Sequence, residues 1–238
     1  LAPGQSARVC FAMGLLEDGA SAREWCARWR QAGAYRRAMR LAGIRAGAML
    51  EFMGLDAEAH HLFQQMTALL VDGGLAAQAR GPRRGGTGVS REALWSLGIS
   101  GTRPILVMRV CDGKDVRGVR ALIRAHGFWR SMGLGTDLVL IDASANGYDR
   151  PVRDKLENLI AAGHLNRMRC VPGGVWLLDG ANLNGEQWRA LERFASATFT
   201  DASDFNVQAR RLLKAAQAPK NRQMTPMKAG ENRLPPMA

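Results

Sequence analysis

The chain has 238 residues, of which 47% are hydrophobic and 23% are charged, a composition typical of soluble globular proteins. No apolar run approaches the roughly 18 residues that a membrane-spanning helix needs. The net charge is +12, but the excess of basic residues is concentrated in residues 76–91 and 208–238. The segments expected to fold are therefore nearly neutral, and we predict no nucleic-acid partner.

The chain opens on Leu1 rather than Met, and no basic-then-apolar leader follows, so we expect a piece of a longer protein without a signal peptide. Its four cysteines form no CxxC pair, and the only adjacent histidines are His60 and His61. Metal sites need ligands at short spacing, so we predict no metal and no cofactor. Two of the cysteines lie in apolar sequence, which favours reduced, buried thiols.

The N-terminal third predicts a short strand followed by helices. Residues 7–13 are apolar and short, as in a strand. Ser21 is expected to cap a first helix, because Glu24 follows at the capping-box spacing. Gly33 is expected to end that helix.

Two more helices are predicted from apolar residues at helical spacing. One covers about residues 35–52 and ends at Gly54. The next is capped by Asp56 and ends at Gly73 and Gly74. Its apolar stripe consists of Ala59, Leu62, Phe63, Met66, Leu69 and Leu70.

A Gly- and Arg-rich stretch separates these helices from the rest of the chain. Residues 79–90 read ARGPRRGGTGVS, which is typical of a surface loop. A phosphate-binding loop is the alternative, but the required Gly-Lys-Ser/Thr ending is missing and no strand leads into the stretch.

Beyond residue 100, strands alternate with helices. Apolar strands are predicted at residues 104–110, 137–142 and 175–178, with a short fourth strand at 197–200. The helices between them are predicted at residues 116–132, 150–162 and 186–195. This alternation predicts an α/β fold with a small, mainly parallel sheet of three to four strands and helices on both faces.

An aspartate ends or follows each of the three clear strands: Asp112, Asp142 and Asp179. Ligands of open α/β sheets bind beyond the carboxyl ends of the strands, so these carboxylates are candidates for acid–base or metal chemistry. The alternative is that each aspartate opens a turn or caps the next helix.

Aromatic and histidine side chains offer candidate sugar contacts. His126 falls on the apolar face of its helix, which is more typical of a core residue. The six tryptophans are scattered, as core tryptophans usually are. The candidate carbohydrate-contact residues are Trp95, His126, Trp129 and Asp142, and we predict no catalytic residue.

Five stretches in order resemble the bacterial cyclic β-1,2-glucan synthases, whose C-terminal part is similar to family-94 glycoside phosphorylases. They are LAPGQSARVCFAMG, EAHHLFQQMTALLV, EALWSLGISGTRPILVMRV, VRALIRAHGFWRSMGLGTDLVLID and GGVWLLDGANLNGEQWRALERFA. The resemblance covers roughly residues 1–215. The stretch around Leu94, Trp95 and Gly98 carries it most clearly.

The resemblance implies a domain order. Residues 1–16 would be the end of a β-sandwich, 17–74 a helical linker and 75–93 a loop. Residues 94–214 would be a small α/β domain and 215–238 a Pro-rich linker.

The resemblance also implies a role. The parent protein would lie in the bacterial inner membrane, transfer glucose from UDP-glucose and process β-1,2-glucan, and this segment would be soluble and non-catalytic. Its partners would be neighbouring domains of the same polypeptide, with β-glucan as a candidate ligand. The rival hypotheses are a free-standing α/β enzyme using the strand-end aspartates and a basic nucleic-acid-binding module.

Overall fold

The computed structural model describes residues 2–6, 9–72, 89–144, 150–201 and 204–217. The chain divides into two compact units, Leu1–His60 and His61–Ala238. The predicted phosphate-loop alternative and nearly all of the predicted Pro-rich linker lie outside the described residues.

The first unit contains helices α1 (Gly19–Arg30) and α2 (Ala34–Phe52) and the start of α3 (Ala57–Val71). Asp18, not Ser21, caps α1: its side chain accepts the Ser21 N–H at 2.7 Å. The prediction for Ser21 was wrong because Asp18 is an equally good cap and lies three residues earlier. The cap predicted at Asp56 is confirmed, since its Oδ1 accepts the Ala59 N–H at 2.7 Å.

Little of the first unit is buried. The predicted strand over residues 7–13 is absent from described residues 9–13, because an extended segment becomes a strand only beside a hydrogen-bonding partner strand. Helix α1 buries no residue, and α2 buries only Ala34. The helical period of α2 was predicted correctly, yet its apolar side chains stay exposed, among them Met39, Leu41, Ile44 and Phe52.

The second unit is built on a four-stranded sheet in the order β3-β2-β1-β4. Its strands are β1 (Ile105–Val110), β2 (Asp137–Asp142), β3 (Val175–Asp179) and β4 (Ala195–Thr200). All three pairings are parallel, with Val110 opposite Asp142 and Asp142 opposite Asp179. The predicted parallel α/β fold is therefore confirmed.

Helices cover both faces of this sheet. Helix α4 (Glu92–Trp95) and α7 (Gly185–Phe194) pack with one apolar cluster that includes Val107, Ile141 and Trp176. The other helices are α5 (Arg117–Ser131), α6 (Pro151–Ala162) and α8 (Phe205–Gln217), with α5 packed against both α6 and α8.

The C-terminal part of α3 belongs to the second unit and carries the predicted apolar stripe. Leu62, Phe63, Met66, Leu69 and Leu70 are all buried. The Phe63 ring lies 6.0 to 6.4 Å, centre to centre, from the rings of Phe128, Trp129 and Phe205. The stripe therefore anchors α3 to α5 and α8.

The structure departs from the sequence predictions at two further points. Helix α8 was missed, although Asp204 accepts the Asn206 N–H at its start and Phe205, Ala209 and Leu213 recur every four residues. The prediction of buried cysteines was also wrong. All four cysteines are free and exposed, since Cys111 and Cys170 lie in loops and Cys10 lies in an unpaired segment.

Candidate functional site

The carboxyl edge of the sheet gathers an aspartate from every strand. Asp142 and Asp179 end β2 and β3 and are register partners, Asp112 lies two residues beyond β1, and Asp201 directly follows β4. The chain steps from β1 to β2 to β3 and then returns to place β4 on the other side of β1. In open α/β sheets, this reversal of strand order is where ligands bind.

Asp142 accepts hydrogen bonds from the loop that follows β2. Its side chain is nearly buried, at 7% exposure. Oδ1 accepts the backbone N–H of Ser144 at 3.1 Å and the hydroxyl of Ser144 at 2.6 Å. This pattern is an Asx turn in which Asp142 also accepts from the Ser144 side chain.

Both carboxylate oxygens of Asp179 accept hydrogen bonds. Oδ1 accepts the Ala181 N–H at 3.0 Å, which makes Asp179 the cap of the 3-10 turn Gly180–Asn182. Oδ2 accepts from Arg150 Nη1 at 2.8 Å and from Asn182 Nδ2 at 3.0 Å. The carboxylate thus ties the end of β3 to the start of α6.

The turn after β1 uses two aspartates. Asp112 accepts the Lys114 N–H at 2.9 Å, and this bond lowers the pKa of its carboxyl, with the Lys114 and Lys155 ammonium charges acting in the same direction. Asp201 Oδ2 accepts three successive backbone N–H groups, those of Cys111, Asp112 and Gly113. Sequence reasoning missed Asp201, although it directly follows the predicted fourth strand, as Asp112 follows the first.

These contacts favour the structural alternative for the strand-end aspartates. Each carboxylate accepts hydrogen bonds from the turn or loop beside it. In the part of the chain that the structure describes, no three His, Cys, Asp or Glu side chains are grouped as a metal site would require. At this edge, Asp112, Asp142, Asp179 and Asp201 each accept hydrogen bonds that stabilise a turn or loop.

The structure does not bring the four predicted sugar-contact residues together. Trp95 is 59% exposed, and its Nε1 donates to the Ser100 carbonyl at 3.2 Å. Trp129 is fully buried and donates to the Phe63 carbonyl at 2.9 Å, so it serves the core. Asp142 lies at the carboxyl edge described above. Sugar contact remains a prediction, and the exposure of Trp95 makes it the most accessible of the four.

His126 belongs to a buried polar group at the opposite, amino edge of the sheet. Its Nε2 donates to the Thr136 carbonyl at 3.0 Å, and burial lowers the pKa of the imidazole. Asp137, which follows Thr136 in the chain, is also fully buried, and its Oδ1 accepts the Gly173 N–H at 2.7 Å. Burial raises the pKa of this carboxyl, while the Gly173 bond and the charge of Arg103 oppose the rise.

The second unit is an open, all-parallel α/β domain flanked by helices, and none of the helices in the described ranges is long and apolar enough to cross a bilayer. No family model matches the chain. It is 30% identical over 120 residues to the cyclic beta-(1,2)-glucan synthase NdvB of Rhizobium meliloti (strain 1021). The match covers 50% of this chain but only 4% of that protein. This indicates a distant relationship to a glucan synthase.

Proposed function

We propose that the chain is a non-catalytic structural segment of a glucan synthase, spacing the domains that handle UDP-glucose and β-1,2-glucan. The relationship to NdvB supports the glucan context. The observation that carries the non-catalytic role is the commitment of the strand-end carboxylates to neighbouring turns and to Arg150. A catalytic acid or base must instead be free to exchange a proton with a substrate.

The exposed apolar side chains of α2 support a role inside a larger protein. Met39, Leu41, Ile44 and Phe52 are each more than half exposed. In a larger protein, neighbouring domains would cover such exposed apolar side chains. Neighbouring domains of the same polypeptide are therefore the proposed partners, and the parent is proposed to lie in the bacterial inner membrane.

An immunoblot of the source cells tests this proposal. The antibody is raised against a peptide from residues 150–163, and membranes are separated from cytosol before electrophoresis. We expect one membrane-associated band many times larger than the 25.9 kDa of this chain. A soluble band near 25.9 kDa would overturn the proposal.

A turnover assay separates the structural role from the free-standing enzyme. The purified chain is given UDP-glucose, or β-1,2-glucan with inorganic phosphate, and released sugar is measured. We expect no turnover by the wild type. Turnover that is lost in Asp142→Asn at an unchanged melting temperature would instead favour the enzyme hypothesis.

The nucleic-acid hypothesis makes a different prediction. Its basic segments lie mostly outside the described residues, so binding is the direct test. Each phosphate neutralised by Lys or Arg releases counterions, and a nucleic-acid-binding module would lose affinity steeply with salt. We expect no sequence-dependent binding to a DNA or RNA duplex at physiological salt.

A further inference from the structure

A cleft of about 270 Å³ lies entirely within the first unit. It is walled by the segment that precedes α1, by one face of α1 and by the start of α2. Among the described residues, four aromatic rings line it together with one guanidinium and two thiols. The lining residues are Cys10, Phe11, Ala12, Trp25, Cys26, Trp29, Arg30 and Tyr35.

The aromatic wall follows from local structure. Trp25 and Trp29 are four residues apart on α1 and so share one face of the helix. Their ring centres are 5.9 Å apart and the rings are inclined by 55°. A Cβ at Gly14 would lie 3.3 Å from the Trp25 indole, so glycine at this position lets the preceding segment pass close to the ring.

Polar groups reach the same cleft without partners. Within the described residues, no hydrogen bond is made by the indole N–H of Trp25 or Trp29, the Tyr35 hydroxyl or the Arg30 guanidinium. Trp25 and Trp29 are partly exposed and Tyr35 and Arg30 are exposed, so these polar groups are open to solvent or to a ligand. Aromatic faces combined with a few uncommitted polar groups are the composition of a small-ligand site.

The chemistry of the lining favours a neutral or weakly polar ring compound. Among the described residues that line the cleft there is no carboxylate, and Arg30 is the one charged side chain. A sugar ring offers C–H faces to the indoles and hydroxyls to the guanidinium, the indole N–H groups and the tyrosine hydroxyl. The cleft volume lies just under the usual range of about 300 to 1,000 Å³ for ligand pockets, which suits one or two sugar rings.

We propose that this cleft binds one or two glucose units of a β-glucan chain. The substrate class rests on the proposed function, whereas the site itself rests on the lining described above. Trp25 and Trp29 supply the stacking surfaces, and Arg30 and Tyr35 supply the hydrogen bonds. The segment would then hold the glucan and not only space the domains that process it.

The cysteines of the chain make the site directly testable. Cys10 and Cys26 line the cleft, while Cys111 and Cys170 are exposed in the other unit. The full 238-residue chain is alkylated with iodoacetamide in the presence of a short linear β-1,2-glucan oligosaccharide, and each cysteine is followed by mass spectrometry. With the sugar at about ten times its dissociation constant, we expect alkylation of Cys10 and Cys26 to slow about tenfold, with Cys111 and Cys170 unchanged.

Two variants assign the protection to the cleft. Arg30→Gln and Tyr35→Phe each remove hydrogen-bonding capacity without removing an aromatic ring, and we expect both to weaken the protection of Cys10 and Cys26. Arg28→Gln is the matched control, because Arg28 lies on the same helix but does not line the cleft. Its protection should equal that of the wild type.

Three outcomes would overturn the site. They are unchanged alkylation of Cys10 and Cys26, equal slowing of all four cysteines, and full protection in both Arg30→Gln and Tyr35→Phe. A large membrane-associated band in the immunoblot together with any of these would leave the proposed function standing without the site. Protection of Cys10 and Cys26 together with a soluble 25.9 kDa band would leave a sugar site outside a glucan synthase.

Discussion

Asp201 and Gly113 lie 88 residues apart in the chain, yet the Asp201 Oδ2 accepts the Gly113 N–H at 3.2 Å. The same oxygen accepts the N–H groups of Cys111 and Asp112 at 2.9 and 3.0 Å. A carboxylate thus occupies the backbone N–H groups of the turn after β1, at the point where β4 returns beside β1. Backbone groups at this point of open α/β sheets often bind ligands, and here a residue of the same chain satisfies them.

Replacing Asp201 by Ala should therefore destabilise the second unit. The change leaves three N–H groups without their acceptor, and we expect a loss of about 1 to 2 kcal/mol in the free energy of unfolding. Urea denaturation measures it. Glu192→Ala removes an exposed carboxylate from α7 and should change stability by less than about 0.5 kcal/mol. An equal effect of the two substitutions on stability would contradict the stabilisation of the turn after β1 by Asp201.

Asp137 should give the second unit an acid-side dependence of stability. Its folded pKa is raised by burial above the ordinary 3.8, so the folded state takes up the proton at a higher pH than the unfolded state does. Above the raised pKa, the buried carboxylate charge lowers the free energy of unfolding by its full amount. This loss becomes smaller as the pH falls toward 3.8. The free energy of unfolding of the wild type should rise relative to that of Asp137→Asn over this window. A pH-independent difference between the two proteins would contradict this account.

His126 should act in the opposite direction. Its folded pKa lies below the ordinary 6.5, so below pH 6.5 the unfolded state binds a proton that the buried imidazole does not. We expect the wild type to lose stability relative to His126→Gln as the pH falls below 6.5, with a constant difference above it. Glutamine suits the comparison because its Nε2 can donate to the Thr136 carbonyl as the imidazole does. Parallel stability curves through this range would show that the imidazole does not titrate as described.

Gly180 should resist substitution because the turn after β3 passes close to the end of β2. A Cβ at this position would lie 2.7 Å from the Asp142 carbonyl oxygen and 3.3 Å from the Ala143 Cα. Gly180→Ala should therefore cost about 1 to 3 kcal/mol through overpacking.

Gly127 provides the matched control for that measurement. It lies inside α5, and a Cβ there would meet nothing within 4 Å. Gly127→Ala should stabilise the second unit by up to about 1 kcal/mol, because alanine favours the helix. Thermal denaturation should shift the melting temperatures of the two variants in opposite directions from that of the wild type. A shift of both in the same direction would contradict the close approach at Gly180.

Local patterns in the sequence determined most of the elements of the second unit. The strand–helix alternation after residue 100, the stripe of α3 and the Asp56 cap depend on neighbours within a few residues, and the structure confirms them. The aspartates at the strand ends were also visible in sequence, because each ends or follows a predicted strand. Since the sheet is parallel, they lie at one edge of it.

Tertiary structure decided what these residues do. Asp201 accepts the N–H groups of the turn after β1 only because β4 pairs with β1. No local sequence pattern encodes this strand order. Trp95 and Trp129 look alike in sequence, yet one is exposed and the other donates to the Phe63 carbonyl in the core. The cleft of the first unit likewise joins residues from three successive segments. Periodicity reports which face of an element is apolar, whereas the packing of distant elements decides what that face meets.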